Sequence, residues 1–132
     1  GSTASKNKID LIKYAYQFLN TPYLWGGKSI LGIDCSGFTQ QVYGLSGYNI
    51  PRDAYQQERI GKAILYENRK SSDIMFFIKN NRIHHVGILI NKNQIIHASG
   101  KVRIDGFNEM GIIHNKSKLL THHFHSIRRI IE

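Results

Sequence analysis

Residues 83–98 read Ile83-His84-His85-Val86-Gly87-Ile88-Leu89-Ile90-Asn91-Lys92-Asn93-Gln94-Ile95-Ile96-His97-Ala98, two apolar runs on either side of a polar tripeptide. Short runs rich in β-branched residues, broken by an Asn-rich turn, predict a β-hairpin. A three-residue turn at 91–93 sets Ile90 opposite Gln94, Gly87 opposite His97 and His85 opposite Ser99. His85 and His97 then share one face of the sheet as diagonal neighbours, roughly 7 Å apart. That lies within reach for one imidazole to orient the other. His84 must point to the opposite face, so only one member of the His84-His85 pair can serve. A two-residue turn would slip the register and break this arrangement.

Outward from the hairpin, alternating or continuous apolar patterns predict further strands at 63–66, 73–78, 102–104 and 125–131. Before Gly61 the period is helical. Leu11, Ile12, Ala15, Tyr16, Phe18 and Leu19 make one broad face of a first helix, which Asn20-Thr21-Pro22 ends. Gly26, Gly27 and Gly32 mark a loop around Trp25. A second helix begins at Cys35 with Asp34 as cap, runs through Phe38, Val42 and Leu45, and ends at the glycines of 44–47. Asp53 and Gln56 have capping-box spacing for a short third helix closed by Gly61. Helices first and strands second predict an α+β domain, its N-terminal helices packed on a mainly antiparallel sheet of five to six strands.

The chain has 132 residues, 41% of them aliphatic or aromatic and 20% charged, which suits one globular domain over 5–132. Gly1-Ser2-Thr3-Ala4 looks like an expression scar or a trimmed boundary. No apolar run approaches the roughly 18 residues of a membrane span. The net charge of +9 favours anionic contacts, but the cations are scattered and select no partner. No stacking motif or reading helix points to nucleic acid.

A single cysteine cannot form an internal disulfide, so Cys35 is either an inert core residue or a reactive one. Asp34, Ser36 and Gly37 around it suit an exposed turn better than a core. At the first turn of a helix its sulfur would meet unpaired amides and the positive end of the macrodipole, a field that favours the thiolate and can hold an oxyanion. A thiolate needs a base, and the base needs an orienting group. His85 and His97 supply that pair of roles.

The sequence also resembles the NlpC-type cell-wall cysteine peptidases, which have a reduced papain-like fold. The matching segments are Thr21-Pro22-Tyr23-Leu24-Trp25-Gly26-Gly27, Asp34-Cys35-Ser36-Gly37-Phe38, Pro51-Arg52-Asp53-Ala54, Asp73-Ile74-Met75-Phe76-Phe77, His85-Val86-Gly87-Ile88 and Ile96-His97-Ala98, in the family's order. The resemblance implies Cys35 as nucleophile, His85 as base and His97 as the residue that orients the imidazole. Tyr23 matches the family tyrosine beside the sulfur, and Trp25 and Arg52 fall among the substrate-binding residues. The tract is closest to the YkfC-type branch, which implies hydrolysis of the γ-D-glutamyl to diamino acid bond of peptidoglycan stem peptides. In that branch Asp34, with Tyr23 and Ser36, would bind the ammonium of an N-terminal L-alanine. Tyr55 and Ser72 depart from the family pattern, so the pocket is expected to differ.

No cofactor or metal is implied, and a monomer is expected. The implied location is the cell envelope, with cytoplasmic recycling of muropeptides as a second setting. Two other classes compete. A zinc hydrolase would draw on His84, His85, His122, His123 and His125, but neither an HExxH helix nor a finger spacing is present. A non-catalytic domain binding cell wall or anionic glycan would survive Cys35→Ala unchanged.

Overall fold

A computed structural model of the chain describes residues 8–29 and 32–131. The Gly1–Ala4 tract lies outside the described residues.

Helix α1 (Lys8–Gln17) buries Leu11 and Ala15, and Phe18 just beyond it is buried too, while Tyr16 points outward. The helix stops at Asn20, whose φ of 71° no helix can continue. Strands β1 (Lys28–Ser29) and β2 (Gly32–Ile33) make a small ribbon in the glycine-rich loop. Helix α2 (Cys35–Leu45) starts as its sequence dictates, with the Asp34 carboxylate accepting the Gly37 amide at 2.7 Å. Such a cap contributes about 1 kcal/mol. Phe38, Val42 and Tyr43 form the buried stripe of α2, and the Tyr43 hydroxyl donates to the Ser72 carbonyl. Phe38 also meets Phe18 edge-on, with ring centroids 6.0 Å apart. Helix α3 (Ala54–Gln57) is a single turn, with Gln56 Oε1 accepting the Asp53 amide at 3.1 Å.

Seven strands follow: β3 (Lys62–Ile64), β4 (Ile74–Lys79), β5 (Arg82–Leu89), β6 (Gln94–Ser99), β7 (Lys101–Asn108), β8 (Gly111–Ile113) and β9 (Leu120–Arg129). Their order is β3-β9-β4-β5-β6-β7-β8, every pairing is antiparallel, and β8 pairs again with β9. The sheet therefore closes into a six-stranded ring, β9-β4-β5-β6-β7-β8, with β3 attached to β9. The expected sheet of five to six strands is corrected to seven among the described residues. The added strand is β8, and β9 begins at Leu120 instead of 125.

Alternation along the strands divides two apolar clusters. Ile74, Phe76, Val86, Ile88, Ile96 and Ala98 face outward onto α1 and α2. Met75, Phe77, Leu89, Ile95, Ile112 and Ile127 fill the ring. The hairpin register is the one its turn predicted: Gly87 pairs His97, Ile88 pairs Ile96, Leu89 pairs Ile95, and the Ile90 amide bonds the Gln94 carbonyl.

Candidate active site

Cys35 occupies the first turn of α2 and is 8% exposed. Its Sγ lies 3.9 Å from the His84 carbonyl oxygen and receives the amides of Val86, Ser36 and Cys35 itself. The sulfur thus abuts the two peptide units that flank His85, where the β5–β6 ladder ends at Gly87 and His97. Burial, followed by the nearby Asp34 charge, pushes the Cys35 thiol up to about 11, although the three amides pull the other way. This corrects the expectation of a standing thiolate. The helix N-terminus supplies its donors, but loss of water outweighs them and the resting group is a thiol.

His85 Nε2 and His97 Nδ1 are 2.8 Å apart, and His97 Nε2 lies 2.8 Å from Asp105 Oδ2. His85 is 5% exposed and His97 1%. Arg103 clamps Asp105 with two hydrogen bonds at 2.8 and 3.0 Å, and the Asn115 amide adds a third at 2.8 Å. Burial would raise the Asp105 carboxyl, but the hydrogen bonds from His97, Arg103 and Asn115 hold it well below the usual carboxylate range. Burial lowers His97, and burial with three neighbouring imidazoles lowers His85 far below an ordinary histidine.

Those ionisation states fix the proton positions. An ionised Asp105 only accepts, so His97 donates from Nε2 and keeps a lone pair on Nδ1. His85 must then donate from Nε2, which leaves its own Nδ1 unprotonated and able to take a proton.

A third imidazole belongs to this group. His122 of β9 stacks on His85 with centroids 4.1 Å apart and planes 24° apart, and its Nδ1 is hydrogen-bonded to Thr121 Oγ1 at 2.8 Å. Burial and the surrounding histidines lower it to about 4. Asp105 escapes a reading of the sequence that ends one strand at Ile104, Arg103 lies within that strand without a role assigned to it, and His122, considered only as a zinc candidate, falls before the strand read from 125. The signal for Asp105 is its spacing: Arg103 pairs with His97, so Asp105 lies on the same face one pleat along. His123 and His125 are exposed. Among the described residues, no three His, Cys, Asp or Glu side chains converge in a way that could hold a metal ion.

The thiol opens onto a cleft of about 1130 Å³. Tyr23, Trp25, Asp34, Ser36 and Arg52 line it, together with His84. The β4–β5 register skips His84, passing from Ile78–Ile83 to Phe77–His85, so the expected placement of His84 and His85 on opposite faces is corrected: both rings stack towards His122, with centroids 5.6 and 4.1 Å from it. Trp25 is 85% exposed at its rim. Arg52 holds both Asp34 oxygens, at 3.1 and 2.9 Å, and donates to Ser36 Oγ at 2.9 Å. The Gly26 amide donates to Asp34 as well, at 2.9 Å. Burial alone would raise Asp34, but Arg52 and the Gly37 and Gly26 amides lower it. Gln57 secures the segment that carries Arg52, through Thr39 Oγ1 at 2.6 Å and the Ser36 and Pro51 carbonyls at 3.1 and 2.8 Å.

A family model described as NlpC/P60 family matches residues 20–126. A gamma-D-glutamyl-L-lysine dipeptidyl-peptidase of Bacillus subtilis (strain 168) is 40% identical over 92 residues, 67% of this chain and 31% of that protein. A murein DD-endopeptidase MepS/murein LD-carboxypeptidase of Escherichia coli (strain K12) is 39% identical over 90 residues, 66% of this chain and 48% of that protein. The chain spans about a third to a half of the length of these relatives. The crystal structure of an NlpC/P60 family protein from Bacillus cereus ATCC 10987 superimposes with a TM-score of 0.83 at 33% identity, covering 97% of this chain and 41% of that one. The NlpC/p60 domain of the peptidoglycan hydrolase SagA gives 0.70 at 35% identity, covering 76% of this chain and 89% of that one.

Proposed function

The chain belongs to the NlpC/P60 family, and from that premise we propose that it is a cysteine peptidase hydrolysing the γ-D-glutamyl to diamino acid bond of peptidoglycan stem peptides. The observation that carries the reading is the Cys35 sulfur seated against the backbone of His85, whose ring is bonded to His97 and through it to Asp105. A central helix bearing the cysteine against an antiparallel ring of strands supports a reduced papain-like fold.

In the mechanism, His85 Nδ1 takes the thiol proton as Cys35 attacks the γ-carbonyl. The new imidazolium then protonates the leaving amine, and water activated by His85 hydrolyses the acyl-enzyme. The amides around Sγ serve the oxyanion, each good donor contributing on the order of 3 kcal/mol. Asp105 anchors the tautomer of both histidines, as the carboxylate of a nucleophile–base–acid array does. Tyr23, Trp25, Ser36 and the Asp34–Arg52 pair form the wall that takes the N-terminal part of the stem, with the Asp34 carboxylate toward the ammonium of L-alanine.

The test is incubation of the protein and Cys35→Ala with defined muropeptides, free or acylated at L-alanine, with products identified by mass. Cleavage after D-glutamate by the wild type alone, abolished by acylation, is the expected outcome. A wild type inert towards every stem overturns the activity. Equal cleavage of free and acylated stems removes Asp34 from substrate recognition and leaves it as the cap of α2.

A further inference from the structure

The tip of the β4–β5 hairpin lies on the same cleft as Cys35. Asn80 and Asn81 have φ of 52° and 62°, the two left-handed residues of a tight two-residue turn. This turn makes Lys79 and Arg82 direct cross-strand partners, with Cα atoms about 4.5–5.5 Å apart by antiparallel geometry. Both side chains are exposed and both line the cleft, next to Ile83 and His84.

Two cations in directly opposed positions repel each other and destabilise the hairpin. Surface pairs of this kind are ordinarily offset by a nearby acid. Among the described residues the ion pairs join Arg52 to Asp34, His97 and Arg103 to Asp105, Arg128 to Glu58 and Arg129 to Asp73, and none includes Lys79 or Arg82. Asp53, which lines the same cleft, pairs with neither of them. The other charged pair of the cleft, Asp34 with Arg52, is internally neutralised. With Arg52, Lys79 and Arg82 set against Asp34 and Asp53, the cleft lining retains a net positive charge, and its two cations outside these ion pairs stand side by side at the hairpin tip.

We propose that Lys79 and Arg82 form an anion subsite that reads a free carboxylate of the substrate, making the enzyme selective for stem peptides that carry an unamidated carboxylate beside the scissile bond. The inference rests on the peptidase reading and names a determinant of its specificity. Two carboxylates of a stem present this chemistry: the α-carboxylate of the γ-linked glutamate and a carboxylate of the diamino acid. A carboxylate spanning two rigidly opposed cations receives charge-assisted hydrogen bonds and relieves their repulsion, whereas a carboxamide does neither.

The test compares wild type with the double variant Lys79→Gln/Arg82→Gln on four stems: both carboxylates free, the glutamate amidated, the diamino acid amidated, and both amidated. On the free stem the double variant is expected to raise KM about tenfold with kcat nearly unchanged, the signature of a contact made equally in ground and transition states. Wild type should show the same loss on one singly amidated stem, and there the double variant should add nothing. That stem identifies which carboxylate is read. Equal kinetics of variant and wild type on the free stem, or an equal loss on all four stems, overturns the proposal. Should no stem be cleaved, the function reading fails on its own. Calorimetric binding of free and doubly amidated stems to Cys35→Ala, with and without the two glutamines, still decides the subsite: equal affinity for the two stems overturns it.

Discussion

At the scale of single residues the decisive finding is that Cys35, the proposed nucleophile, is buried and its thiol is pushed up. Burial holds the Cys35 thiol near 11, while His85 is too deeply buried to carry the proton in exchange. Burial therefore favours a thiol at Cys35 and a neutral imidazole at His85, and the proposed mechanism requires the proton to move when a substrate arrives. Alkylation by iodoacetamide without substrate is expected to be slow at neutral pH and to climb about tenfold per pH unit up to about pH 10, because it follows the thiolate fraction. A rate that plateaus near neutrality would reveal a standing ion pair and sink this account. The placement of Cys35 at a helix start and the meeting of His85 with His97 were legible because their spacing is local: a helix start, and two strands joined by one turn. Asp105 and the stacking of His122 on His85 were not legible, since each residue reaches the cluster from a strand whose limits its own composition hides.

Among the elements, the β5–β6 hairpin matters most, and Gly87 is its pivot. A Cβ there would sit 2.7 Å from Ile95 Cδ1 and 2.9 Å from His97 Cβ, inside the closed ring. Gly87→Ala is expected to cost about 1–3 kcal/mol of stability by overpacking. It should also lower kcat more than KM, because relief requires His97 to shift away from His85. A variant with wild-type kcat and a lowered melting temperature would show that His97 tolerates displacement and is not an orienting group. The register of this hairpin was legible because an Asn-Lys-Asn turn admits one pairing that keeps Ile88 and Ile96 together. Strand β8 was not legible, for it is three residues long and opens at Gly111 with φ 144°. The first half of β9 hides for another reason. Thr121, His122, His123 and His125 give it no apolar alternation, and its pairing on both sides, not its side chains, makes it a strand.

For the molecule as a whole, closure of the ring buries His85 and His97 and partly buries His122. His85, His97 and His122 all have folded values below the usual 6.5, so the unfolded chain binds protons first and stability falls as pH drops below that value. Each of the two fully buried rings contributes up to about 1.4 kcal/mol per pH unit to that fall. Asp34 and Asp105, both held low, contribute stability that is complete above the ordinary carboxylate range and lost as pH descends through their folded values. Thermal melts from about pH 7.5 to about pH 3 should therefore decline in two stages, the first from histidine and the second from carboxylate. A melting temperature flat between about pH 7 and about pH 5 would contradict neutral burial of the imidazoles.

Strand β9 pairs with β3, β4 and β8 at once; it follows all the other strands of the sheet in chain order and is the one that turns an open sheet into a ring. A nascent chain still lacking residues 120–129 holds its cysteine and both paired histidines but has no wall behind them, and water reaches the bases. Translation must run past this strand before the proposed catalytic group can exist in its dry, oriented form. A ribosome stalled earlier would carry Cys35, His85 and His97 without the enclosure that the completed ring gives them.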